Sequence, residues 1–235
     1  MNKKTYLNWS GGKDAAMALY KHRATGNAPV TKLLTTISQE QRRITMHGVA
    51  EALLDAQAEA LGLPVQKVAL PASENLEQYN KVMAEAMQQL KQEGFERAVF
   101  GDIFLEDLRK YREEQLEQQA IRGVFPLWKL NTKKLLQHFI NLGFKAVVVC
   151  TNARLLGEEF VGKVIDQQWI DRLPDNVDPC GENGEFHTFV FDGPIFSAPI
   201  PIVIGENHLH HYPQKEGDTW DADYWFCELS LKNNP

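Results

Sequence analysis

Four times before Pro126 a short apolar run gives way to a longer amphipathic segment, and this alternation limits the fold more than any other property of the chain. "TYLNW" leads into a helical pattern from about Gly12, and "VTKLLTTIS" into "GVAEALLDAQAEALG". "VQKVAL" then leads into "ENLEQYNKVMAEAMQQLKQEG", and "RAVFGD" into "LEDLRKYREEQLEQQAIRG". Strands separated by helix-length segments pair in parallel, with the helices crossing over the sheet. The expectation is an α/β, doubly wound domain over residues 1–127, a parallel sheet with helices on both faces. Gly62 and Gly94 stand where helices should end, and Ser73 with Glu74 can start the third helix.

After Pro126 the pattern changes. One more unit, "NTKKLLQHFINLG" followed by "FKAVVVCT", precedes "VGKVIDQQWIDRL", which reads as a short helix. A polar stretch, "PDNVDPCGENGEFHT", then leads into "FVFDGPIFSAPIPIVIGENHLHHY" and "WDADYWFCELSL". Both are rich in β-branched and aromatic residues with turn signals between them, so they read as strands. Residues 128–235 are expected to form a smaller α+β domain.

With 235 residues, 43% of them hydrophobic, the chain can bury a substantial core. No apolar stretch approaches the roughly 20 residues that span a bilayer, and "MNKKTYLNW" lacks a secretory h-region, so a cytoplasmic protein is expected. Cys150, Cys180 and Cys227 are odd in number and form no C-x-x-C, which argues against a disulfide framework and a zinc ribbon. A net charge of -6 offers no footprint for non-specific nucleic-acid binding and favours small-molecule or protein substrates.

The first strand runs into "SGGKDA", Ser10 to Ala15, at the start of a helix. Backbone N–H groups and the positive helix end converge there, which suits an anion. Glycines let the backbone approach a phosphate, Lys13 adds a mobile positive charge, and Ser10 supplies a hydroxyl. A tight turn without a ligand is the competing reading of Gly11 and Gly12. The Walker A loop does not fit, because its first glycine would fall on Leu7 and its hydroxyl residue on Asp14.

In this setting "SGGKDA" resembles the S-G-G-x-D-S loop of the ATP pyrophosphatases, the PP-loop branch of the HUP-type Rossmann-like folds. The resemblance implies ATP and Mg²⁺, with cleavage between the α- and β-phosphates. It also implies that Ser10, Gly11, Gly12, Lys13 and Asp14 hold the β,γ-pyrophosphate and its metal. Ala15 replaces the last serine of the motif and removes one hydroxyl donor. The segments Met46–Val65, Val99–Trp128 and Asp178–Phe196 further resemble the diphthine–ammonia ligase family, with "GENGEFHTFV" the most specific. In that family an N-terminal domain binds ATP and a C-terminal domain helps form the groove for an acceptor carboxylate.

Other positions carry chemistry of their own. Gly101 and Asp102 follow a strand at the ligand-binding edge of a parallel sheet, where Asp102 could contact Mg²⁺ or ribose, or simply cap the next helix. Arg109 and Arg112 share a helix face and could neutralise phosphate, although nearby glutamates favour an ordinary ion-pair surface. His47, before Gly48, falls near the nucleotide edge or is an ordinary surface-loop histidine, and Thr35 and Thr36 end the second strand as plain β-formers, where the resemblance implies that Thr36 contacts adenine.

"DPCGENGEFHT" cannot form a hydrophobic core and suits a rigid functional loop. Glu182 and Glu185 could position ammonia or take its proton, while Asn183 and His187 could orient a substrate or stabilise an oxyanion. Gly184 and Thr188 complete the expected substrate side. Cys180 as nucleophile, a Cys180/His187 zinc site and a purely structural loop compete with that reading. His208, His210 and His211 read as a polar strand end or hairpin, with a metal site the competing reading.

The resemblance thus implies an ATP-dependent ligase that adenylates an acceptor carboxylate, releases pyrophosphate and transfers ammonia. Lys13 and Asp14 join Glu182, Glu185 and His187 as the expected catalytic set, and Asp14 and Asp102 as the expected Mg²⁺ ligands. The partners are ammonia and a carboxylate, diphthine on elongation factor 2 or, in a bacterium, an unidentified acceptor. Neither a membrane nor nucleic acid is expected, and a homodimer is compatible with the reading. The rivals are a PP-loop RNA-modifying enzyme and a non-catalytic adenine-nucleotide-binding protein.

Overall fold

The computed structural model describes residues 4–25, 28–44, 48–70, 76–214 and 221–232. Its first sheet contains β1 (Lys4–Asn8), β2 (Val30–Ser38), β3 (Val65–Leu70), β4 (Phe95–Val99) and β5 (Arg122–Val124), in the order β3-β2-β1-β4-β5. Every neighbouring pair is parallel. The connections carry α1 (Lys13–Ala24), α2 (Glu51–Leu61), α3 (Leu76–Gln92) and α4 (Glu106–Glu117). The strand order reverses between β1 and β4, so a crevice opens at their carboxyl ends. Gly62 does end α2, in the left-handed conformation at φ 65°; Ser73 and Glu74 lie outside the described residues.

β5 is absent from the sequence pattern, which extends the fourth helix to Gly123. The helix stops at Glu117 instead, Ala120 turns at φ 49°, and Ile121 is buried beneath the sheet edge. The chain then has only three residues left to pair with β4 before Phe125, too few to show a period of two.

The two faces of the sheet are covered differently. α3 and α4 close one core, which includes Tyr6, Leu34, Met87, Leu90, Phe95 and Leu116. α1 and α2 lie on the opposite face and are themselves overlaid by a second sheet, so that Leu7, Met17 and Leu54 share a core with Val147, Phe189 and Val190. The alanines of α1 explain how a helix fits between two layers: Ala15, Ala16 and Ala18 are all buried and keep the approach close.

The second sheet is antiparallel, with β6 (Lys145–Asn152), β7 (Phe186–Asp192), β8 (Ile202–His211) and β9 (Asp223–Leu231) in the order β7-β6-β9-β8. α5 (Thr132–Asn141) and the short α6 (Gln167–Asp171) accompany it. Here the strand–helix rhythm is broken: "FKAVVVCT" forms β6, which leaves the parallel sheet and becomes an inner strand of the new one. A strand buried on both faces fits either sheet, and the partners that decide it, β7 and β9, come later in the chain. The segment "VGKVIDQQWIDRL" is helical only within α6, whose start is capped by Asp166 accepting the Trp169 N–H at 2.8 Å. Val164, before it, instead bridges to Val147. No helix among the described residues is long and apolar enough to cross a membrane.

Candidate functional site

The loop between β1 and α1 is held from several sides. Gly11 sits at φ 80°, and a Cβ there would lie 2.7 Å from Gln57 Oε1, so the position admits glycine for both conformation and space. Gly12 caps α1 and offers no side chain to the first-turn N–H groups, which leaves that helix end open to outside acceptors. Thr188, on β7, takes one of them, its hydroxyl oxygen accepting the Lys13 N–H at 3.0 Å. Val190 donates its N–H to Gly11 O at 2.9 Å.

Lys13 is not the mobile arm its sequence position suggests. Its side chain is 4% exposed. Nζ donates to Asp14 Oδ2 at 2.8 Å and to the carbonyl of Cys180, and lies 5.0 Å over the Phe186 ring. Burial works against its charge, but Asp14 and the other negative groups around it outweigh burial and hold its pKa above the ordinary lysine value. Lys13 therefore ties the first loop to the polar loop near residue 180.

That second loop is braced by its own carboxylates. Asp178 Oδ1 accepts from Cys180 N at 2.9 Å and Glu182 N at 3.3 Å. Glu185, 2% exposed, accepts from Asp178 N at 3.0 Å, Asn183 N at 2.9 Å and Asn183 Nδ2 at 2.9 Å. Glu182 points elsewhere: its Oε1 accepts from Ile103 N at 2.7 Å and Phe104 N at 3.3 Å, just past Asp102. Burial, with Asp14 and Asp102 nearby, pushes its carboxyl up to about 7 in spite of those donors.

Two cavities meet between the loops. The larger, about 760 Å³, lies over the carboxyl ends of β1, β2 and β4, where Asn8, Thr35, Thr36, Gly101 and Asp102 line it. Tyr6, Tyr79, Met83, Met87 and Phe100 give it an apolar wall. The smaller, about 330 Å³, is enclosed by Gly12, Lys13, Asn183, Gly184 and Thr188. Ser10, Asp14, Leu108, Glu182 and His187 line both and form the wall they share. A cleft at the switch point of a parallel sheet, with an apolar wall and a glycine-rich helix start at its edge, has the form of a nucleotide site.

The profile of the diphthamide synthase N-terminal domain matches residues 3–122, and that of the diphthamide synthase C-terminal domain matches residues 131–230. The chain belongs to the diphthamide synthase family. Diphthine–ammonia ligase of Homo sapiens is 24% identical over 225 residues, covering 86% of this chain and 83% of the relative. The Danio rerio enzyme of the same name is 24% identical over 225 residues, with 86% and 87% covered. Among solved structures, a predicted subunit of tRNA methyltransferase from Methanocaldococcus jannaschii superimposes with a TM-score of 0.42 at 19% identity, over 62% of this chain and 80% of the other. The U34-tRNA thiolase of Methanococcus maripaludis gives 0.38 at 18%, over 60% and 57%.

This family member thus brings Ser10, Gly12, Lys13, Asp14, Thr36, Gly101, Asp102, Glu182, Asn183, Gly184, His187 and Thr188 around two joined cavities. Gly11 and Glu185 stand behind the walls and shape the loops; neither lines a cavity. His47 lies outside the described residues. Gly101 is required by space, since a Cβ there would lie 2.9 Å from the Asp14 carbonyl carbon. Thr35 donates its hydroxyl to Trp9 O at 2.6 Å, a strand-to-strand tie. Asp102 is 9% exposed, with Arg112 Nε 2.8 Å from its Oδ2 as an ion pair without hydrogen-bond alignment; burial pushes the carboxyl up, against the pull of Arg112. Arg109 instead lies over the Phe125 and Trp128 rings and pairs with Glu113.

Among the described residues no three His, Cys, Asp or Glu side chains form a metal cage. The donor set fits Mg²⁺ in another way, since that ion is commonly held by one or two carboxylates together with phosphate oxygens, and Asp14 and Asp102 both face the larger cavity. Cys180 is buried with its thiol pushed up by burial and donating to Thr132 O at 3.4 Å, which disfavours a nucleophile. His208 stacks on Phe226 and His211 pairs with Asp223 at 2.7 Å, as side chains of a strand pair. Gln57 carries no motif, yet it joins the loop to the second sheet. A polar residue at a helix position otherwise filled by Leu53, Leu54 and Ala58 was the signal for it.

Proposed function

We propose that this chain is an ATP-dependent, AMP-forming carboxylate–ammonia ligase of the diphthine–ammonia ligase type. A carboxylate oxygen of the acceptor attacks the α-phosphorus of ATP, pyrophosphate leaves, and ammonia then displaces AMP from the acyl group to give the amide. The observation that carries this reading is the closure of the Ser10–Asp14 and Gly181–Thr188 segments on one pair of joined cavities, tied together by Lys13. A single-substrate phosphate site would not need the second loop.

In this reading the start of α1, with Ser10, Gly12 and Lys13, stabilises the charge that builds on the leaving pyrophosphate. Thr36 and the apolar wall receive the adenosine end. Asp14 and Asp102 would hold Mg²⁺, which when bound neutralises phosphate oxygens. Glu182, with its carboxyl near 7, takes a proton from ammonium and so frees the ammonia that attacks the acyl group. Asn183, His187, Gly184 and Thr188 surround the acceptor, while Glu185 keeps their loop rigid. Diphthine is the acceptor where a cell makes it; a bacterial member would amidate another carboxylate. The reading places the protein in the cytoplasm.

A sulfur-transferring RNA enzyme is less well supported, because Cys150, Cys180 and Cys227 are all buried and the Cys150 thiol is pushed up to about 12. The deciding experiment incubates the protein with ATP, Mg²⁺, ammonia and a carboxylate library and identifies the nucleotide product. AMP with pyrophosphate is expected. ADP, or unchanged ATP that still binds, would overturn the ligase reading, the latter in favour of a nucleotide-binding protein.

A further inference from the structure

Gln57 is fully buried on α2, and its carboxamide is used at both ends. Oε1 accepts from the Trp9 indole Nε1 at 2.8 Å, while Nε2 donates to Gly11 O at 3.0 Å and to Val190 O at 2.7 Å. The indole N–H can only donate, so it fixes which end of the amide faces which neighbour. Burying an amide among aliphatic side chains is unfavourable unless every polar atom is satisfied, and here each is. The side chain is a strut between the end of β1, the Gly11–Gly12 peptide and β7.

We propose that Gln57 is a positioning residue for the anion loop: by holding the Gly11 carbonyl inward, it aims the Gly12 N–H at departing pyrophosphate. In a trans peptide the N–H of one residue points opposite to the C=O of the residue before it. Gly11 O is drawn inward by two donors, Gln57 Nε2 and Val190 N–H. The Gly12 N–H consequently faces out, where it meets Ser10 Oγ at 3.3 Å on the wall of the smaller cavity. Between two glycines this peptide has no Cβ to hold its plane, so the external donors must do it. Gln57 itself lines neither cavity and would act only through the peptide.

The inference rests on reading this loop as a pyrophosphate site, and the test separates the two. Binding of magnesium pyrophosphate and of adenosine is measured by calorimetry for wild type, Gln57→Leu and Gln57→Glu. Loss of the amide's donors should weaken pyrophosphate binding by about tenfold in Gln57→Leu while adenosine affinity stays within about twofold, since each net hydrogen bond is worth about 1 kcal/mol. Gln57→Glu should bind pyrophosphate poorly at pH 8, where an ionised oxygen faces two carbonyls, and recover relative to wild type as the buried carboxyl takes up a proton at lower pH. A merely structural role would weaken both ligands together, without that recovery.

Equal losses for both ligands, or none, overturn the positioning role. Wild type that binds adenosine but not pyrophosphate overturns the loop reading and the positioning role with it. Should Gln57→Leu fail to fold, Trp9→Phe removes the indole N–H that orients the amide together with ring volume at the wall of the larger cavity, so the loss of pyrophosphate affinity is read relative to the loss of adenosine affinity in the same variant. About a fivefold greater loss for pyrophosphate is then expected, and no such excess overturns the proposal.

Discussion

Lys13 and Glu182 are charged groups in places where burial opposes charge, and each therefore affects both stability and chemistry. Lys13→Ala removes the cation between Asp14 and the Cys180 carbonyl. AMP formation should fall by about 10²- to 10³-fold, the range for losing one preorganised electrostatic group, and stability by about 1–3 kcal/mol. Product assay and thermal melting check the two separately. For Glu182 the sign follows from its raised carboxyl. Between pH 4.5 and about 7 the folded protein keeps a proton that the unfolded chain has released, so stability falls as pH rises through that window. Activity moves the other way, because only the ionised carboxylate can accept a proton, so kcat/KM should rise through about pH 7. Glu182→Gln, which keeps an oxygen for Ile103 N and Phe104 N, should remove both dependences; a pH–rate profile unchanged in the variant would refute the assignment.

Elements meet at the site through backbone, and glycines mark where they do. Gly101→Ala would place a Cβ 2.9 Å from the Asp14 carbonyl carbon and 3.0 Å from Ala15 N, so β4 and the start of α1 must separate. The expected result is a loss of about 1–3 kcal/mol together with weakened ATP binding. Gly62→Ala supplies the control. Its φ of 65° strains an alanine, but nothing lies within 4 Å, so about 1 kcal/mol should be lost with ATP binding intact. Denaturant unfolding and nucleotide titration distinguish the pair. At this scale β1 to β4 and α1 to α4 were legible from periodicity and turn residues, since those signals are local, although the fourth helix was read on to Gly123 and ends at Glu117. β5 was too short to show a period, and β6 was recognised as a strand but not given its sheet, because its partners lie in later sequence.

One core runs through both sheets, with α1 and α2 between them. Calorimetry should accordingly show a single cooperative transition, and residues 128–235 expressed alone should not melt cooperatively, because their inner face would lose α1 and α2. Two separate transitions would refute this. The sequence by itself determined what depends on neighbours along the chain: the strand–helix rhythm, the glycine-rich helix start at Ser10 to Asp14, and its mismatch with the Walker A spacing. Tertiary structure alone decided which groups meet. Glu182 and Glu185 carry the same side chain three residues apart, yet one reaches the loop after β4 and the other braces its own turn. The partners of Glu185 are local, within its own turn, whereas those of Glu182 come within hydrogen-bond range only because the fold packs that turn against the loop after β4.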